Sequence, residues 1–181
     1  MDFNQTKYRS STLRLQNWDY RTNGGYFVTL CTQDKKRCFG EIVNDKIQLS
    51  LAGKIAHERW NEISEYFPFV ELGEFVIMPN HIHGIIVINQ PVGTRHCLVK
   101  NNGKTPLLGK NRYQNQGKGS LSAIIGSFKS IVTKNIRQNQ IKFDWQPRFY
   151  EHIIRTPESL SKISEYIINN PQNWKTDRFN K

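Results

Sequence analysis

The stretch Val76-Ile77-Met78-Pro79-Asn80-His81-Ile82-His83-Gly84-Ile85-Ile86-Val87-Ile88 constrains this chain more than any other. Its second half is a nearly unbroken apolar run, the pattern of a strand buried on both faces. Pro79 and Asn80 mark a turn or strand boundary just before it. Residues i and i+2 of a strand project to one face, so His81 and His83 point the same way and Ile82 the other. Same-face neighbours lie about 6–7 Å apart at their bases, close enough for two imidazoles to share a metal ion. Two partly buried, hydrogen-bonded and inert histidines satisfy the same pattern.

Around that strand the chain supplies the rest of a sheet. Tyr26-Phe27-Val28-Thr29-Leu30-Cys31-Thr32, after Gly24-Gly25, reads as the first core strand. Residues 41–43 and 46–49 read as a small hairpin around Asn44-Asp45. Ser50 is placed to cap a helix running to about Tyr66, with Leu51, Ile55, Trp60, Ile63 and Tyr66 as its buried side and Pro68 as its stop. Residues 70–78 and 81–89 read as the second and third strands, and the short break between them makes them an antiparallel pair. A second long helix runs from Leu121 to about Gln138, with Ile124, Ile125, Phe128, Ile131 and Val132 inward and Lys129, Lys134 and Arg137 outside. Residues 143–155 turn into a fourth strand. Thr156 and Pro157 then start a last helix that reaches Asn170 and ends at Pro171. The order β-(hairpin)-α-β-β-α-β-α predicts an α+β fold: a ferredoxin-like (split βαβ) antiparallel sheet with helices on one face and an extra C-terminal helix. Strands one and three are central in that arrangement, and strand three is the one that begins with the histidines.

At 181 residues the chain reads as a single domain, 1–181, with a basic arm at 1–22 and a mobile basic loop at 91–118. Its 26 Lys and Arg outweigh 15 Asp and Glu, for a formal charge of +11. No acidic residue stands between Glu74 and Asp144, a span that holds ten Lys or Arg. Such a field attracts polyanions, nucleic acid first among them, and no basic amphipathic helix suggests a membrane surface instead. The arm mixes Lys7, Arg9, Arg14 and Arg21 with Tyr8, Trp18 and Tyr20, which suits stacking on bases and equally suits packing on the body. Candidate nucleic-acid contacts are Arg14, Lys100, Lys104, Lys110, Arg112, Lys118, Lys129 and Arg148. Cys31, Cys38 and Cys97 are odd in number and lack paired metal spacing, as in a reducing compartment. With no apolar leader and no membrane-length segment, the expected location is cytoplasmic.

Tyr166 and Asn170 stand at i and i+4 on the last helix, hence on one face. An amide oxygen is a competent ligand for a hard metal ion, and with two imidazoles it leaves positions open for a phosphate oxygen and water. Tyr166 would then stand beside that phosphate, placed for attack. A helix flank ending in an Asn-Pro stop is the simpler account of the same two residues.

The chain resembles the single-tyrosine HUH transposases, in particular the REP-associated, insertion-sequence-200-like group. The resemblance rests on Tyr26-Phe27-Val28-Thr29, Met78-Pro79-Asn80-His81-Ile82-His83-Gly84, Ser127-Phe128-Lys129-Ser130, Trp145-Gln146 through Tyr150-Glu151-His152-Ile153-Ile154-Arg155, and Tyr166-Ile167-Ile168-Asn169-Asn170-Pro171, in that order. It implies metal-binding histidines at His81 and His83, a nucleophile at Tyr166 and a third ligand at Asn170. It implies Mg²⁺ or Mn²⁺, cleavage of single-stranded DNA through a 5′-phosphotyrosine, and recognition of an imperfect hairpin. It leaves open a homodimer, with Tyr166 acting in cis or in trans. Two other readings stay in play. One is a metal hydrolase that uses water at His81 and His83. The other is a non-catalytic, domesticated nucleic-acid-binding protein on the same fold.

Overall fold

The computed structural model describes residues 23–90 and 119–180. Four strands, β1 (Gly24–Cys31), β4 (Val70–Met78), β5 (His81–Ile88) and β6 (Tyr150–Ile154), form one sheet in the order β4-β5-β1-β6. Every neighbouring pair is antiparallel. This is the split βαβ arrangement that the sequence predicts, with the histidine strand and the first strand in the middle. The strands β2 (Gly40–Val43) and β3 (Lys46–Leu49) pair apart from it as a hairpin. Asn44 and Asp45 make its turn at φ 50° and 59°, the left-handed pair that a two-residue hairpin loop requires.

The two faces of the sheet have different partners. Tyr26, Val28 and Leu30 of β1 and Ile82, Ile86 and Ile88 of β5 share a core with α1 (Leu51–Asn61) and α3 (Leu121–Gln138). Trp60 of α1 lies flush against β5 at Gly84, where a Cβ would overlap its indole. On the other face Phe27 and Ile85 pack with Ile167 of α4 (Pro157–Ile168). The two crossover helices thus lie on one side, and the extra C-terminal helix closes the side toward which His81 and His83 project.

Local signals explain the helix starts. The hydroxyls of Ser50, Ser120 and Thr156 accept from the amides of Gly53, Ala123 and Ser159 at 3.1, 3.3 and 3.2 Å. The helix expected from Ser50 to Tyr66 is interrupted at Glu62, and α2 (Ile63–Tyr66) is a single separate turn. Its buried side is Ala52, Ile55, Ala56, Trp60 and Ile63, while Leu51 is 50% and Tyr66 66% exposed. Leu51 sits one residue, about 100°, off that stripe, and the break at Glu62 turns Tyr66 away from it. Among the described residues no helix is long and apolar enough to cross a membrane.

Candidate active site

His81 and His83 open β5 opposite Cys31 and Thr29 of β1. Their rings point to the α4 side, 4.4 Å apart between centroids, and neither is exposed to solvent. A hydrogen-bond chain fixes the tautomer of His81. The Asn80 amide nitrogen donates to the carbonyls of Phe179 and Lys35 at 2.7 and 3.2 Å, so its oxygen must accept. That oxygen meets His81 Nδ1 at 2.8 Å, which makes Nδ1 the donor and leaves a lone pair on Nε2. Thr29 Oγ1 lies 2.9 Å from His83 Nδ1 in a hydrogen bond that orients that ring. His81 Nε2 is buried and has no partner. A buried acceptor left so is costly and calls for an explanation.

Tyr166 comes from α4 over the pair. Its hydroxyl is 3.3 Å from His83 Nε2, its ring lies 5.3 Å from that imidazole and 6.2 Å from Phe27, and 44% of the residue is exposed. Burial raises its pKa, a hydrogen bond from the Asn170 side chain lowers it, Asp177 raises it and Arg178 lowers it, with a net rise. Asn170 is buried, and its Oδ1 has no partner. The four residues placed on one site by the sequence, His81, His83, Tyr166 and Asn170, are brought together by the fold.

The segment after α4 completes the site and was not legible in the sequence. A 3₁₀ turn, Trp174–Thr176, leads to Asp177, one of whose carboxylate oxygens and one ring nitrogen each of His81 and His83 all lie within 4.8 Å of one another. Phe179 lies over both rings, at 4.4 Å from His81 and 5.8 Å from His83. Asn80 ties down the Phe179 carbonyl, and Arg37 donates to Asn180 at 2.8 Å. Two neutral imidazoles, that of His81 with its buried Nε2 orphaned, the Asp177 carboxylate and the orphaned Asn170 Oδ1 form a donor set that fits a divalent cation. The outer hydrogen bonds with Asn80 and Thr29 orient the imidazoles as such a site needs. Phe179→Ala should uncover the pair, so that diethyl pyrocarbonate modifies His81 and His83 several times faster than in the parent; an unchanged rate would mean that Phe179 is not what shields them.

Burial pushes the pKa of His81 down to about 2, with help from His83, Arg178 and Lys35, and that of His83 down to about 3, with help from Arg178. Both rings are therefore neutral at physiological pH. The unfolded chain takes up protons on both below about pH 6.5, whereas the folded chain resists until about pH 3. Stability is therefore full above pH 6.5 and falls as the pH is lowered, by about 1.4 kcal/mol per unit for each histidine. Two pH units remove about 5 kcal/mol, comparable to the whole stability of a marginal domain. Urea unfolding in EDTA at pH 7, 6, 5 and 4 should show that slope, and His81→Asn/His83→Asn should lose most of it.

Of the proposed nucleic-acid contacts, Arg14, Lys100, Lys104, Lys110, Arg112 and Lys118 lie outside the described residues, as do the 1–22 arm and the 91–118 loop. Lys129, expected to stand outside its helix, is instead half-buried. Its ammonium donates to the carbonyls of Gln146 and Arg148 at 3.0 and 2.7 Å and lies 5.4 Å from the Trp145 ring. Burial lowers its pKa to about 8. Two carbonyls converge there because Arg148 takes a left-handed φ of 66° in the turn before β6. Lys129 thus fastens that turn to α3. Tyr150, a second tyrosine on the histidine side of the sheet, is opposite Thr29, packs 6.4 Å from Phe27 and is 42% exposed. Cys31 and Cys38 are free thiols whose pKa values burial raises.

No protein-family model matches the chain. It is 40% identical over 179 residues to an uncharacterized protein of Haemophilus influenzae, covering 96% of this chain and 97% of that one. A second Haemophilus influenzae protein, named as a REP-associated tyrosine transposase, is 23% identical over 161 residues, 84% of this chain and 73% of the relative. Among solved structures, a REP-associated tyrosine transposase bound to a REP hairpin matches with a TM-score of 0.54 at 18% identity, over 83% of this chain and 68% of that one. That likeness shows a shared fold.

Proposed function

The chain belongs to one family with its 40%-identical Haemophilus influenzae relative and has the fold of a REP-associated tyrosine transposase, and from that premise we propose that it is a metal-dependent single-stranded DNA transesterase. The observation that carries the reading is the convergence of Tyr166 with two neutral histidines, one with an orphaned buried Nε2, and the orphaned Asn170 Oδ1. His81, His83 and Asp177, with Asn170 beside Tyr166, would hold Mg²⁺ or Mn²⁺. When bound, such an ion supplies positive charge to the phosphodiester under attack.

The remaining chemistry belongs to this chain's residues. Tyr166 Oη attacks phosphorus: a bond from the phenol oxygen to phosphorus forms, and the bond from phosphorus to the 3′-oxygen breaks. The leaving oxygen takes up a proton and departs as a 3′-hydroxyl, while the 5′-phosphate stays on Tyr166. One difficult step becomes two, and the bond is conserved for rejoining. The phenol must first lose its proton, which burial opposes; the hydrogen bond from Asn170 and the charge of Arg178 favour the phenolate. The solved relative of the same fold was bound to a REP hairpin, and a hairpin with a single-stranded flank is the proposed substrate here.

The test is a hairpin labelled on the 3′ side of the cut and run on a denaturing gel. Label should travel with the protein, and excess EDTA should remove the band. Cleavage over many turnovers without a covalent band would favour a water-using hydrolase. The complete burial of His81 and His83 among Phe179, Trp174, Tyr166 and Phe27 is the observation that favours the non-catalytic reading, because no phosphate reaches either ring until that aromatic cover moves. DNA binding with neither cleavage nor a band would establish that reading.

A further inference from the structure

A groove of about 470 Å³ runs between β6 and the first half of α4. Phe27 and Ile163 form its floor, Tyr150 and His152 line it from β6, and Glu158 and Lys162 line it from α4. Phe27 is a shared wall. Its ring lies 6.4 Å from Tyr150 on the groove side, and 6.2 Å from Tyr166 and 5.3 Å from His83 on the other. The groove and the attacking hydroxyl are therefore separated by one aromatic ring.

We propose that this groove holds an unpaired nucleobase of the same DNA strand whose phosphate is presented to Tyr166, an inference that rests on the transesterase reading. Its size falls within the range of small-ligand sites. Its β6 side is aromatic, with Tyr150, 42% exposed on the short edge strand, offering ring surface for stacking, while its α4 side is polar. A base inside a duplex keeps both faces stacked on its neighbours and cannot offer one, so the occupant must be single-stranded. Lys162 supplies a positive charge at the rim for the adjoining phosphate. Glu158, held ionised by its own backbone amide and the Thr156 hydroxyl, can accept from the exocyclic amino group of cytosine or adenine. The groove gives Tyr150 a role that needs its ring and not its hydroxyl.

Binding is measured in EDTA and in a Tyr166→Phe background, so that no strand is cut. The probes are a twelve-nucleotide deoxycytidine oligomer and an abasic oligomer with the same number of phosphates, at one salt concentration. The background protein should bind the cytidine oligomer about tenfold more tightly than the abasic one. Adding Tyr150→Ala should weaken the cytidine oligomer about tenfold and leave the abasic one within about twofold, whereas Tyr150→Phe should change neither. His152→Ala, a second exposed position in the groove, should give a smaller loss confined to the cytidine oligomer. Equal weakening of both probes by Tyr150→Ala, or none, overturns the inference. The covalent band on hairpin DNA is scored separately: its absence from the wild-type protein would sink the transesterase reading, whereas its presence with base-independent Tyr150 variants would sink this inference alone.

Discussion

Tyr166→Phe is expected to abolish the covalent band and to reduce cleavage by more than about 10³-fold, the scale on which loss of a nucleophile is felt. The variant removes one hydroxyl and keeps the ring. The contacts of that ring with Phe27 and His83 persist, and the lost hydrogen bonds to His83 Nε2 and Asn170 cost about 1 kcal/mol of stability. Fold, metal affinity and DNA binding should therefore stay within a few-fold of the parent. Asn170→Ala gives a graded companion result. It removes a hydrogen bond that stabilises the phenolate, so the pH–rate profile for adduct formation should shift to higher pH. Tyr150→Phe should still form the band. If instead Tyr166→Phe forms it and Tyr150→Phe does not, the nucleophile is Tyr150 and α4 is only a packing element.

How much of this arrangement is legible in the sequence depends on the range of the interaction. The parity of His81, Ile82 and His83 fixes which side chains share a face, and the register of β5 against β1 bears it out. The helical spacing of Tyr166 and Asn170 is equally local, and both do come to the histidine side of the sheet. What no periodicity reveals is the return of the C-terminal segment. Asp177 and Phe179 reach the histidines because Asn80 anchors the Phe179 carbonyl from 99 residues away, and nothing in the spacing of either partner announces that bond. Lys129 is a similar case: its place on α3 reads as solvent-facing, and only the turn at Gln146 and Arg148 folding over it makes it half-buried. The break at Glu62 escapes notice because the residues on either side of it favour helix equally.

The other large effect is expected at the proposed metal site. His81→Ala and His83→Ala should each lower Mn²⁺ affinity by about 10²-fold or more, judged against the 10- to 100-fold cost of losing only an outer partner of a ligand. Cleavage should fall below detection with either. Structure and chemistry can be separated here, because the two histidines are linked to stability through their protons: burial favours them as neutral rings. Removing one leaves Asn80 Oδ1 or Thr29 Oγ1 without its partner and opens a cavity, which lowers stability near pH 7. The same removal eliminates one imidazole's penalty in acid, so the variant should lose less stability than the parent between pH 6 and pH 4, by about 1.4 kcal/mol per unit. A merely structural histidine would give those stability changes and leave Mn²⁺ titration calorimetry unchanged. Asp177→Asn tests the third donor: it removes a charge and nearly no volume, and should weaken Mn²⁺ while leaving Phe179 in place, since an amide oxygen can still accept from the Phe179 backbone amide as the carboxylate does at 2.6 Å. Mn²⁺ binding of undiminished strength in His81→Ala/His83→Ala, or a full covalent band from the wild type in excess EDTA, would show that the phosphate is activated by something other than this cluster.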